Sequence, residues 1–160
     1  MKVFALFAML ALPLTGAAHA TVSASSDGAL AVKSADGKVV FNGRGGVIGR
    51  IDLGQVTIKD PNPYDGTGPI VTGADTTLPL GERTTRYSGK NLRFRIIGGT
   101  FSITVVGSGI NLSVIGRGLT TLDGNDDGTD GTYAVNGDTT QPFPLFRFTF
   151  PLDASSSSTG

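Results

Sequence analysis

NLRFRIIGGTFSITVV, residues 91–106, consists of two alternating runs on either side of Gly98-Gly99. Leu92, Phe94 and Ile96 alternate with Arg93 and Arg95, and Phe101, Ile103 and Val105 alternate with Ser102 and Thr104. Period-two alternation marks a strand with one buried face. A two-residue turn at the glycines would pair Ile96 with Phe101, Phe94 with Ile103 and Leu92 with Val105. Adjacent glycines supply the positive φ angles that primed hairpin turns require. All six apolar residues then share one face, and a one-residue slip would turn them into water. The expectation is a β-hairpin with Arg93 and Arg95 side by side on its solvent face.

Working outward, glycine (24 residues) recurs between short runs rich in Val, Ile, Thr and Phe, and no helix-length window carries apolar residues at three-four spacing. Further strands are expected over 29–33, 38–41, 46–51, 55–59, 70–72, 84–87, 110–115, 118–122, 132–135 and 145–150. In the last of these, LFRFTF, Phe146, Phe148 and Phe150 share one face and are expected in the core, with Pro142, Pro144 and Pro151 bracketing the run. Arg44-Gly45-Gly46 is expected to mark a bulge or turn. The proline- and glycine-rich stretch 59–69 reads as a loop with an exposed Tyr64. Many short strands in one chain of this size predict a single-domain antiparallel β-sandwich or small barrel over residues 21–154. A β-solenoid is the alternative. Its short period is missing, since the one self-similarity is VIGR at 47–50 and again at 114–117.

The beginning of the chain, MKVFALFAMLALPLTGAAHA, has Lys2, a short apolar run, Pro13 and a small-residue ending, the order of a signal peptide over residues 1–20. The expected destination is secretion, periplasmic or extracellular. Its removal would take away His19 and both methionines, and the chain has no cysteine. What remains lacks the usual nucleophile–base pairs and the nitrogen and sulfur ligands of zinc or copper. The charges balance over the whole chain, and loss of Lys2 leaves the remainder one unit negative, which argues against nucleic acid as a partner. No later run has the length of a transmembrane helix. Residues 155–160 are expected to form a disordered Ser-rich tail.

Two constellations stand out. GERTTRYSGKNLRFR carries Arg83, Arg86, Lys90, Arg93 and Arg95 against the single acid Glu82. Arginine forks bind carboxylate and phosphate bidentately, so these five are the candidate polyanion-binding residues, for an acidic polysaccharide or cell-envelope polymer. The plainer reading is a basic sheet face that keeps an edge soluble. DGNDDG, residues 123–128, matches the opening of a calcium loop, with Asp123, Asn125 and Asp127 as alternate oxygen ligands and Thr129 adding its carbonyl. The match stops halfway, because Ala134 stands where a bidentate acid belongs, and a solvated acidic turn fits the same residues. Asp52, Asp60, Asp65, Asp75 and Glu82 are the acids available for hydrolysis, but no spacing selects a pair.

ERTTRYSGKNLRFRIIGGTFSITVVGSGINLSVIGRGLTTLDG, residues 82–124, resembles a group of uncharacterised secreted bacterial all-β proteins. They share an R-T-T-x-Y-x-G-K-N-x-R-F-R core, an I-x-G-G hairpin and a G-R-G-x-x-x-L-D-G ending. The resemblance implies a small extracellular β domain and assigns no catalytic residue. The functional expectation is therefore a non-enzymatic secreted domain that binds a cell-envelope or extracellular polymer and needs no cofactor. A calcium-dependent structural or adhesive module and a carboxylate-based hydrolase are the alternatives.

Overall fold

Apolar residues alternate with polar ones from Leu30 to Ile58, interrupted by glycines that read as turns. In the computed structural model, which describes residues 26–64, 66–125 and 131–157, that stretch is a single bent strand, β1 (Gly28–Lys59). It is followed by β2 (Ile70–Thr72), β3 (Thr76–Gly81), β4 (Thr84–Ile96), β5 (Thr100–Gly124), β6 (Thr132–Val135), β7 (Gln141–Pro142) and β8 (Phe148–Leu152). All pairings are antiparallel, and the sheet runs β2-β4-β1-β5-β8, with β3 also on β4 and β6 on β1 and β7. It is one sandwich-like domain and not a closed barrel. No helix long and apolar enough to cross a membrane occurs among the described residues.

The register shows how one sheet makes two layers. Val105 pairs with Val39 on one side and with Val56 on the other, while Val39 also pairs with Leu122. For β1 to reach both edges of β5, it must travel right round the core and return. The first half-sheet is β3, the start of β4, the end of β1, the start of β5, residues 37–44, the end of β5, and β8. The second is β2, the end of β4, residues 46–53, the middle of β5, the start of β1, β6 and β7. Between them lies one core that includes Val39, Phe41, Ile103, Val105, Ile51, Leu92, Ile110 and Val114, all fully buried.

The strands cross from one half to the other at two rows of glycine. Gly124, Gly37, Gly107, Gly54 and Gly89 are register neighbours across five strand passages, and Gly28, Gly116 and Gly45 form the second row. Strands bend sharply where a missing side chain lets backbones approach, so glycine here bends the ladder without ending it. The expected set of many short strands is thus corrected to a few long, bent ones. Gly43-Arg44-Gly45 pairs in register with Gly116-Arg117-Gly118, so the expected bulge or turn at residues 44–46 is the corner itself. The two VIGR copies are not coils of a solenoid either, because Val47 and Val114 face each other across the antiparallel pair.

The hairpin over residues 91–106 is also corrected. All six apolar residues are buried, but β4 and β5 are not neighbours, because β1 runs between them. Ile96 pairs with Val47 in the second half-sheet, and Phe101 pairs with Gly43 in the first. Gly98-Gly99 carries the chain around the corner, where the Gly99 carbonyl accepts the N–H of Gly45 at 2.9 Å. β1 offers each run a longer register than the runs offer each other.

At the C-terminal end β8 starts at Phe148, so Phe146 is 77% exposed and leaves the expected core, whereas Phe150 is buried. Phe148 stacks on Phe150 at 5.1 Å and meets Tyr133 at 6.3 Å. Pro79, Pro142 and Pro151 lie within β3, β7 and β8, strands at the margins of the sheet where a missing N–H discourages pairing with another chain. Ser155 and Ser156, expected in a disordered tail, bond to Asp153 and hold its carboxyl below the usual range, chiefly through the Ser155 side chain. Residues 1–20, expected to form a signal peptide, and the end of the expected tail, residues 158–160, lie outside the described residues.

Thr120 faces the core between Phe41 and Phe150, and among the described residues its hydroxyl is a buried side-chain polar group without a hydrogen-bond partner. Burying such a group costs about 1–3 kcal/mol. Thr120→Val keeps the shape and removes the hydroxyl, and should raise unfolding free energy by about 1 kcal/mol in urea. A loss of stability would show that the hydroxyl is satisfied.

Candidate functional site

The five basic residues expected in one patch are divided by the first glycine row. Arg83 occupies the β3–β4 turn with φ 62°, its guanidinium donating to the Pro61 carbonyl. Arg86 lies on the outer face of the first half-sheet, where its Nε donates to Thr57 Oγ1 at 3.4 Å. Lys90 follows Gly89 at the crossing, and its backbone N–H donates to Asp75 Oδ2 at 3.3 Å. Beyond the crossing, Arg93 and Arg95 are exposed on the outer face of the second half-sheet, as the alternation predicts.

There the long-range register gives them neighbours that the sequence reading missed. Arg93 is directly opposite Arg50, and Arg50 is opposite Asn111 on its other side. Lys33, near the start of β1, lines a depression of about 380 Å³ with Arg50, Asn111 and Ile48. Arg95 stands opposite Ile48 and, on its other side, Ile70. The outer face therefore gathers Arg50, Arg93, Arg95 and Lys33 from three strand passages that are remote in sequence. The signal that would have found Arg50 is its alternation with Val47, Gly49 and Ile51, which sets Ile48, Arg50 and Asp52 outward.

Only Arg50 of these four has a carboxylate partner among the described residues, Asp52 at 3.7 Å. Both ends of that pair are about half exposed, so its contribution is within about 0–1 kcal/mol. The uncompensated cations give this face a positive field although the chain as a whole is neutral.

The calcium-like residues are placed differently. Asp123, next to last in β5, stands opposite Lys38 and meets Arg147 at 3.4 Å, while Asn125 is exposed. Asp127 and Thr129 lie outside the described residues. Among the described residues no group of three or more His, Cys, Asp or Glu is close enough to hold a metal. The acids considered for hydrolysis are scattered: Asp52 serves Arg50, Asp75 accepts from Lys90, Asp60 accepts from the N–H of Asn62 at 2.9 Å, and Glu82 sits in the β3–β4 turn. Asp65 lies outside the described residues.

A second concavity of about 690 Å³ is lined by Tyr133, Phe143, Phe146, Phe148 and Arg147, beside the end of β5. Burial raises the Tyr133 phenol above its ordinary range. No known protein family, curated protein or solved structure matches the chain.

Proposed function

We propose that this chain is an exported, non-catalytic domain that binds an anionic cell-envelope or extracellular polymer on the outer face of its second half-sheet. The observation that carries this reading is the direct opposition of Arg50 and Arg93 across two strands, with Arg95 one step away. Like charges opposed in a sheet destabilise it by up to about 1 kcal/mol. A basic face needed only for solubility gains nothing from that arrangement. A carboxylate- or phosphate-bearing chain laid across it replaces repulsion with charge-assisted, bidentate hydrogen bonds. The alternating exposed positions on neighbouring strands give an extended contact suited to a polymer.

The test is retention on an immobilised acidic polysaccharide along a salt gradient. The combined variant Arg50→Ser, Arg93→Ser, Arg95→Ser is expected to bind at least tenfold more weakly and to lose most of the salt dependence. Arg83→Ser with Arg86→Ser, on the other half-sheet, should keep most of both. Unchanged retention of the triple variant, or a loss confined to the Arg83 and Arg86 pair, would remove the proposal.

A further inference from the structure

We infer that the ligand of this face carries acyl chains as well as negative charge, and is an acylated anionic glycan of a cell envelope. This rests on the polymer-binding reading above and specifies its ligand. Ile48, Ile97 and Ile115 are 59%, 66% and 61% exposed. Isoleucines scattered singly on a surface need no explanation, but these three share one depression of about 330 Å³ with Arg95. Ile115 pairs with Gly46 on one side, and the Ile97 carbonyl lies 3.2 Å from where a Gly46 side chain would begin on the other. Glycine at that position keeps the floor open between them.

Ile48 and Ser113 are common to this depression and to the neighbouring one that holds Arg50 and Lys33. Apolar and cationic side chains are thus interleaved across one continuous surface. A fully hydrated acidic polysaccharide would pair with the arginines and leave the isoleucines in water. A ligand with alkyl chains next to its charged groups covers both, and the hydrophobic contribution grows with the apolar area removed from water. The charge complement is also present, since Arg93, Arg95 and Lys33 have no carboxylate partner among the described residues. Ala31 and Ser113, both small, line the second depression and leave room for a chain beside Ile48.

Purified lipopolysaccharide and its deacylated oligosaccharide are the probes, titrated at one salt concentration with the full-length protein after export. The intact form is expected to bind at least tenfold more tightly. Ile48→Ser with Ile115→Ser should bind both forms equally, at the level of the deacylated one, with an unchanged melting curve. Ile97→Ser, outside the strands, gives the same readout if the double variant unfolds. Arg93→Ser with Arg95→Ser should weaken both forms together. Equal binding of the two probes by the parent protein overturns the acyl inference and leaves the polymer reading standing. Failure to bind either probe overturns the inference, and takes the polymer reading with it only if retention on acidic polysaccharide is also absent. Phosphatidylglycerol vesicles bound as tightly as lipopolysaccharide overturn it in favour of a plain anionic lipid surface.

Discussion

Gly45→Ala is expected to destabilise the fold by about 3–5 kcal/mol, a large share of the ~5–15 kcal/mol that holds a typical domain folded. Two costs combine. Gly45 has φ 142°, a conformation that side-chain-bearing residues adopt only with strain of about 1–3 kcal/mol. A methyl group at that position would also lie 2.2 Å from the Ile115 carbonyl oxygen and 2.6 Å from the Gly116 Cα. Both obstacles are backbone, so no rotamer change relieves them. The approach is reciprocal, since a methyl on Gly116 would lie 2.2 Å from the Arg44 carbonyl. Relief therefore requires the two strands to separate at the corner, where the Gly45 N–H also holds the Gly99 carbonyl. Gly68→Ala is the control, because nothing lies within 4 Å of its added methyl. Urea melts of the two variants should differ by several kcal/mol; near-equal midpoints would show that the corner does not depend on backbone contact.

The same corner explains where sequence reading succeeded and where it stopped. Alternation over residues 91–106 identified six residues that are all buried, and it set Arg93 and Arg95 outward, because side-chain direction in a strand is a local property. Pairing is not local. Gly98-Gly99 has the composition of a hairpin turn, and nothing in its neighbourhood signals that β1 will lie between the two runs. Glycine was ambiguous for the same reason: a residue without a side chain suits a turn that ends a strand and equally a bend that continues it. The candidate site inherited this limit. Arg93 and Arg95 were visible in a basic run, but Arg50 belongs with them only through a register spanning more than forty residues of chain, whereas Arg83 and Arg86 are near in sequence and lie on the other half-sheet.

Phe41→Ala is expected to cost about 3–5 kcal/mol, the usual range for removing a buried ring and leaving its cavity. Phe41 is fully buried and its ring lies 5.6 Å from that of Phe101 at a tilt of 52°. How much of the cavity term is recovered depends on how far the surroundings can collapse. Here they are held unusually firmly, since the backbone of Phe41 pairs with Ile103 on one side and Thr120 on the other, so neither flank can move in without disturbing a ladder. The ring also lies over Gly43, whose added methyl would meet Phe41 Cζ at 2.9 Å, so the aromatic fills the space that the corner leaves open. Phe41→Leu, which refills part of the volume, should cost well under half as much. Phe146→Ala provides the opposite case: alternation in LFRFTF groups Phe146 with the core, but its exposure of 77% leaves little burial to lose, and its variant should melt within about 0.5 kcal/mol of the parent. A large loss at Phe146 together with a small one at Phe41 would mean that the core holds Phe146 and not Phe41. The reverse order is what their burial requires, because Phe41 sits within a strand paired on both sides, whereas Phe146 precedes β8 and has no ladder to hold it against the core.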